Sequence, residues 1–305
     1  MRVIIPNELK LLSSTVAETD EGDGVAWSKT ATYAEGDRVR RNHVTYESVA
    51  ADNKANDPES TWSGEDAKWR KIGATNRHRC IDGIVETRTE GGEGETLTFS
   101  VPFNKATAFA LLNMEGVSVT AVLTDTDTSE KYYERNISLL RDISSMSLWE
   151  YCYEPLEYVD MLVRTNLPLI INGKLQVSIK TAENSTAKIG HVIVGRAKWI
   201  GYTQYDAEVE MIDYSQKKTD EFGYTTIVRR SSANRLNLPI YVEPRNSDTI
   251  YAALQRLRGV PCLYQGDNED AGFSSLSVYG YSEDVRMVYA GYDEVQLTLE
   301  LQGLI

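Results

Sequence analysis

A polar–apolar alternation of period two recurs along most of this chain and constrains its fold more than any other feature. Thr96-Leu97-Thr98-Phe99-Ser100-Val101 alternates, Val117, Val119 and Ala121 take every second place in a later run, and Val295, Leu297, Leu299 and Leu301 do so near the end. Successive side chains of a strand point to opposite faces, so this spacing makes one buried face and one wet face. His191-Val192-Ile193-Val194-Gly195 reads as a buried strand. Asn172-Gly173 lies between Leu169-Ile170-Ile171 and the alternating Leu175, Val177 and Ile179. The dipeptide predicts a hairpin there, because it supplies the positive φ angles that a type I′ turn demands. Many short strands at this spacing predict a mainly β chain with an antiparallel β-sandwich body. One short helix interrupts it. Ser247 stands where it can cap that helix, Ile250, Leu254 and Leu257 form a single stripe, and Gly259-Val260-Pro261 stops it.

The 305 residues leave room for two or three domains. Residues 1–22 read as a strand, Met1-Arg2-Val3-Ile4-Ile5-Pro6, followed by an acidic linker rich in turn residues. Residues 23–73 form a small β unit near the N-terminus, predicted to be three-stranded, and three of the five tryptophans fall inside it. Residues 74–190 carry the sandwich. Residues 191–305 form a C-terminal β-rich region with the helix, either separate from the sandwich or continuous with it. Eighteen Tyr against five Phe suits half-buried positions on strands and at interfaces.

Several function classes are disfavoured. A formal charge of −13 argues against sequence-independent nucleic-acid binding, which draws its affinity from Lys and Arg. No apolar run approaches the length of a membrane span, so no membrane insertion is expected. The apolar start is too short for a signal peptide. Cys80, Cys152 and Cys262 are odd in number and far apart, which predicts buried free thiols rather than a disulfide framework. His43, His78 and His191 are scattered without ligand spacing, so no metal is expected.

The chain has no Gly-x-Ser-x-Gly elbow and no phosphate-cradling loop ahead of a helix. Gly91-Gly92-Glu93-Gly94 reads as a flexible hairpin tip. Asp125-Thr126-Asp127-Thr128-Ser129-Glu130 lacks the later Gly and Glu of a calcium loop and reads as a solvated turn. Glu150, Glu154 and Glu157, in the aromatic stretch Trp149 to Tyr158, are the first carboxylates to consider for glycoside hydrolysis. They read instead as surface carboxylates beside buried aromatics. No catalytic residue and no cofactor is expected.

Two resemblances add to this reading. Ala26-Trp27-Ser28, Tyr33-x-x-Gly36-Asp37-x-Val39, Val44-Thr45-Tyr46, Asn56-Asp57-Pro58, Thr61-Trp62 and Trp69 resemble the small carbohydrate-binding module of chitinases, families five and twelve. The resemblance implies a sugar platform drawn from Trp27, Tyr33, Tyr46, Trp62 and Trp69, since an aromatic face stacks on the C–H groups of a pyranose. Some of these five must fill the core of so small a unit.

The second resemblance begins at Thr75-Asn76-Arg77-His78-Arg79-Cys80-Ile81-Asp82-Gly83, which is similar to segments of virion proteins of tailed bacteriophages. Ile212-Asp213-Tyr214-Ser215, Asp220-Glu221-Phe222-Gly223, Leu257-Arg258-Gly259-Val260-Pro261 and the closing Leu299-Glu300-Leu301-Gln302-Gly303-Leu304 resemble, in order and style, phage distal-tail and baseplate proteins. That implies a structural subunit made in the host cytoplasm and built into the virion tail. It would be a homo-oligomeric ring touching other tail and baseplate proteins, with auxiliary binding to host-surface glycans. The alternative is a polysaccharide-degrading enzyme with an attached carbohydrate-binding module. A secreted lectin or adhesin is a third reading, which the missing export signal disfavours.

Overall fold

The computed structural model describes residues 1–141, 147–154, 157–266, 274–289, 291 and 294–304. Two antiparallel sheets hold most of the strand residues. The larger has ten strands. Across it run Leu162–Arg164, Ala108–Leu112, His191–Trp199, Arg2–Pro6, Cys262–Gln265, Ser277–Tyr289, Val295–Gly303, Ser232–Val242 and Tyr202–Thr203, with Glu208–Asp213 also pairing on Ser232–Val242. The smaller has five strands, in the order Lys131–Ser138, Ser118–Asp125, Ile170–Lys180, Leu97–Ala106 and Ser13–Ser14.

The five-stranded sheet packs face to face on one end of the larger sheet. Phe99, Val101, Val119, Leu175 and Val177 meet Phe109, Leu111, Val192 and Val194 in one core. The alternation read in the sequence supplies the inner face: Ser118–Asp125 buries Val119, Ala121 and Leu123 and turns the residues between them toward solvent. A β-sandwich follows from that packing.

The other end of the larger sheet is covered by the helix Ser247–Arg256, whose Ile250 and Leu254 pack on Leu236, Leu238, Leu297 and Leu299. A third cluster, Ile4, Ala110, Ile193 and Leu263, fills the opposite face of the central strands. Those strands are therefore covered on both sides. That is why Ala108–Leu112 is buried throughout, as is the stretch from His191 to Gly195, where a half-exposed strand would alternate. Arg2–Pro6 sits between His191–Trp199 and Cys262–Gln265, so the first strand of the chain bridges strands from far along it.

Several local expectations are corrected. Asn172-Gly173 makes no turn, because Ile170–Lys180 runs straight through it, with Asn172 opposite Asn104 and Gly173 opposite Phe103. A Cβ on Gly173 would lie 2.4 Å from the Phe103 ring, so the glycine is there to admit an aromatic neighbour. Ser247 is the first helical residue rather than the cap. Its hydroxyl donates to the Pro244 carbonyl at 2.8 Å, and Asn246 holds the N-cap position. Cys80 and Cys262 are buried free thiols, but Cys152 is exposed. Trp149 and Tyr153 are exposed as well, on the short helix Leu148–Tyr153.

Other local readings agree with the structure. The turn after Ser118–Asp125 is closed by Asp125, whose carboxylate accepts the Asp127 amide at 2.7 Å. Glu150 closes a capping box with Ser147, accepting that residue's amide at 2.6 Å, and Glu157 pairs with Arg141 at 2.8 Å on the surface. Gly91-Gly92-Glu93-Gly94, by contrast, is no hairpin tip: its first three residues belong to the strand Thr89–Glu93, which pairs with Thr186–Ile189, and Gly94, at φ 70°, leads on toward Leu97–Ala106 in the five-stranded sheet.

One element stands apart. Beyond Asp213 the chain continues as a narrow hairpin, Gln216–Thr219 paired with Thr225–Val228, turning at Asp220–Gly223. Every residue of both strands is exposed. Phe222, Tyr224 and Ile227 are 86%, 75% and 70% exposed. A ribbon wet on both faces gains almost nothing from its own chain.

Candidate functional site

Residues 23–74 build a separate small sheet. Arg38–Arg41, Val44–Ser48 and Trp69–Ala74 pair antiparallel, and Val25–Ala26 adds a short parallel edge. Gly36, at φ 89°, makes the turn into Arg38–Arg41, and the Asp37 carboxylate accepts the Ala34 amide at 2.7 Å. Four residues form the core: Tyr33, Val39, Tyr46 and Trp69. Tyr33 meets Trp69 edge to face at 5.4 Å between ring centroids. Each ring also satisfies its polar atom. Trp69 Nε1 donates to the Asn56 carbonyl at 3.0 Å, and Tyr33 Oη accepts the Ser28 amide at 2.7 Å.

The five aromatics of the expected sugar platform therefore separate. Tyr33, Tyr46 and Trp69 are buried and offer no face to a ligand. Trp27 is half-buried against the same core, and the Arg41 guanidinium lies 4.4 Å over its ring. Asp57 holds Arg41 in place at 2.9 Å. Trp62 alone of the five is exposed, at 43%, with the Lys71 ammonium 5.6 Å from its ring centroid. One indole with a cation beside it can stack on one sugar ring.

The structure also assembles a group that sequence spacing did not suggest. Glu18 lies ahead of the module, His43 at the tip of the hairpin joining Arg38–Arg41 to Val44–Ser48, and His78 in the 3₁₀ turn Asn76–Ile81 that follows it. The imidazoles of His43 and His78 stack 3.8 Å apart at 24°. Both Nδ1 atoms address the same carboxylate oxygen, Glu18 Oε1, at 2.7 Å and 3.4 Å. Thr75, fully buried, donates its hydroxyl to that oxygen at 2.8 Å.

The surroundings set the charges. Burial raises the Glu18 carboxyl, but hydrogen bonds from His43 and Thr75 outweigh it and leave its pKa below the ordinary value. Burial lowers His78, and the neighbouring His43 lowers it further. A sequence signal existed in Asn42-His43. Both residues have positive φ, 46° and 65°, as a two-residue hairpin loop requires. An imidazole occupies the place where Gly usually stands.

This region is tied to the body by Asp23, a buried carboxylate. Its oxygens accept the Asn76 amide at 2.7 Å and the Thr19 amide at 3.1 Å, and its own carbonyl accepts the Thr45 hydroxyl. The segment that reads as an acidic linker is thus partly an anchor.

No family model and no curated protein matches this chain. Among solved structures, it is similar to the C-terminal domain of a chitobiase from Bacteroides fragilis, at a TM-score of 0.30 and 12% identity over 65% of this chain and 99% of that one. A likeness that slight fixes neither fold nor function. The reading below rests on the chain's own features.

Proposed function

We propose that this protein is a structural subunit of a bacteriophage tail or baseplate, assembling as a homo-oligomeric ring with other tail proteins in the virion. The observation that carries the reading is the exposed hairpin Gln216–Val228 with Phe222, Tyr224 and Ile227 at its surface. Apolar side chains on a ribbon wet on both faces are a liability in an isolated chain and become useful once a neighbour covers them. The double-sided burial of the central strands supplies a stiff frame from which such an arm can reach.

In this reading the small N-terminal module binds host-surface glycans weakly through Trp62. A single stacking contact becomes useful only when a ring presents many copies at once.

Electron microscopy and native mass spectrometry of the full chain test the proposal. The expected result is a closed ring that reverts to monomers when residues 216–228 are replaced by a two-residue turn. Antibodies against the chain should label phage tails. A monomeric wild type with no tail labelling would refute the reading, as would release of sugars from chitin or cell-wall glycans by the purified protein.

A further inference from the structure

We propose that Glu18, His43 and His78 form a binding site for a divalent transition-metal ion, zinc above all, that locks the small module onto the body. The inference is independent of the tail reading. It starts from geometry: one carboxylate oxygen and two imidazole nitrogens, all within 4.8 Å of one another, converge from three separate stretches of chain. Donors held about 2.0–2.1 Å from a tetrahedral zinc stand about 3.3 Å apart. The observed separations from Glu18 Oε1, 2.7 Å and 3.4 Å, bracket that spacing. The two imidazoles, stacked 3.8 Å apart at 24°, must unstack and turn so that the ion lies in the plane of each ring, and His43, exposed on one side, is the ring with room to turn.

The ligand set is chemically specific. Two imidazoles and one carboxylate suit zinc and neighbouring first-row ions better than calcium or magnesium, which favour oxygen-only shells. His43 is 59% exposed at its side chain, so the group faces solvent on one side and leaves room for water as a fourth ligand. On the protein side, the Thr75 hydroxyl on Glu18 Oε1 and the Arg40 guanidinium, 3.8 Å from Glu18 Oε2, fix the carboxylate. Such supporting contacts orient ligands and tune affinity. Arg40 also withdraws part of the negative charge, which makes the site one of moderate affinity.

The backbone offers a separate reason. His43 occupies left-handed conformation at φ 65°, where a side chain costs energy that Gly would not incur. In exchange its Nδ1 meets Glu18. Because Glu18 precedes the module and His78 follows it, a bound ion would join both ends of the module to its hairpin tip. The module would then be held in one orientation.

The test is a zinc titration of the full chain, freed of metal by chelation, followed by calorimetry and by limited proteolysis at residues 15–24. The wild type should bind one zinc ion per chain, and zinc should slow cleavage in that segment. His43→Gly relieves the backbone and keeps the fold, yet should weaken binding by roughly a hundredfold or more, since even loss of a supporting contact behind a ligand costs about 10–100-fold. Glu18→Gln should weaken it as well, whereas His191→Gln, which removes the third histidine of the chain, should bind as the wild type does. Cobalt substitution should give the visible bands of a tetrahedral nitrogen–oxygen site. The proposal fails if the folded wild type takes up no zinc. It fails equally if His43→Gly and Glu18→Gln bind as tightly as the wild type, since the ion would then lie elsewhere.

Discussion

The sandwich body and the small N-terminal module are both built mainly of antiparallel strands, and they hold themselves together in different ways. The body buries long rows of aliphatic side chains on several faces of two sheets. The module has an apolar core of four residues and completes itself with polar contacts: Asn53 to Ser48 and to the Lys68 carbonyl, Trp69 to the Asn56 carbonyl, and Asp23 to two backbone amides. A small unit cannot bury enough apolar area to stand on that term alone. The body is thus specified by a repeating pattern, and the module by individual residues. Removing single side chains should expose the difference.

The largest effect is expected in the body. Phe109→Ala removes a fully buried ring from the first core, where Phe109 meets Tyr133 edge to face. The loss should be about 3–5 kcal/mol. It should appear in one cooperative denaturant transition, with hydrogen exchange rising together across the two body sheets. If protection were lost only near Phe109, the body would not be the single unit that its shared sheet implies.

Trp69→Ala deletes a larger side chain, and its global cost should be smaller. Its core has only three other members, so the penalty is capped at the module's own stability, on the order of a few kcal/mol. Residues 23–73 should become susceptible to protease while the main unfolding transition stays in place. A matching downward shift of the whole transition would show that the module and body unfold together.

Acid separates the regions by a different route. His191 is buried in the body beside Tyr279, and burial holds its pKa down to about 4 from 6.5, against a weaker opposing hydrogen bond with the Cys80 backbone. The unfolded chain therefore binds a proton at a pH where the folded chain does not. This contribution is complete above pH 6.5 and declines as the pH falls toward 4. At pH 5 the loss should be about 2 kcal/mol. Urea midpoints at pH 7 and pH 5 check the sign, and His191→Gln should flatten the difference. An unchanged pH dependence in that variant would assign the acid sensitivity to other groups.

The contrast also explains what could be read from sequence. Alternation such as Val295, Leu297, Leu299 and Leu301 reports burial directly, because a strand's geometry maps sequence parity onto faces. Asn172-Gly173 misleads because its turn preference is weaker than pairing with strands on both sides, and because Phe103 requires a neighbour without a side chain. In the module the aromatics were legible and their directions were not. Tyr33, Tyr46 and Trp69 look the same in sequence as Trp62, and only the folded sheet sorts inner from outer. The Glu18, His43 and His78 group was out of reach for another reason. Its members are brought together by tertiary packing, so no ligand spacing survives in the linear chain. Cys152, expected inside and found outside, lies on a short helix beside the exposed Trp149 and Tyr153, with no repeating pattern to judge it by.

Trp62→Ala should have the smallest effect on stability and the most selective one on binding. The indole is exposed and belongs to none of the buried clusters. Its removal should shift stability by no more than about 0.5 kcal/mol, as surface changes usually do. If the module is an auxiliary glycan binder, the same change should abolish retention on a densely coated glycan array. Trp27→Ala should instead act through stability, because its ring packs on the core beneath Arg41. Equal loss of binding in both variants would mean that the platform extends across Arg41. Undiminished binding in Trp62→Ala would remove the one exposed aromatic from the role and leave the module as a spacer. The two tryptophans thus divide the question that their shared sequence motif poses, one reporting on the fold and the other on the ligand.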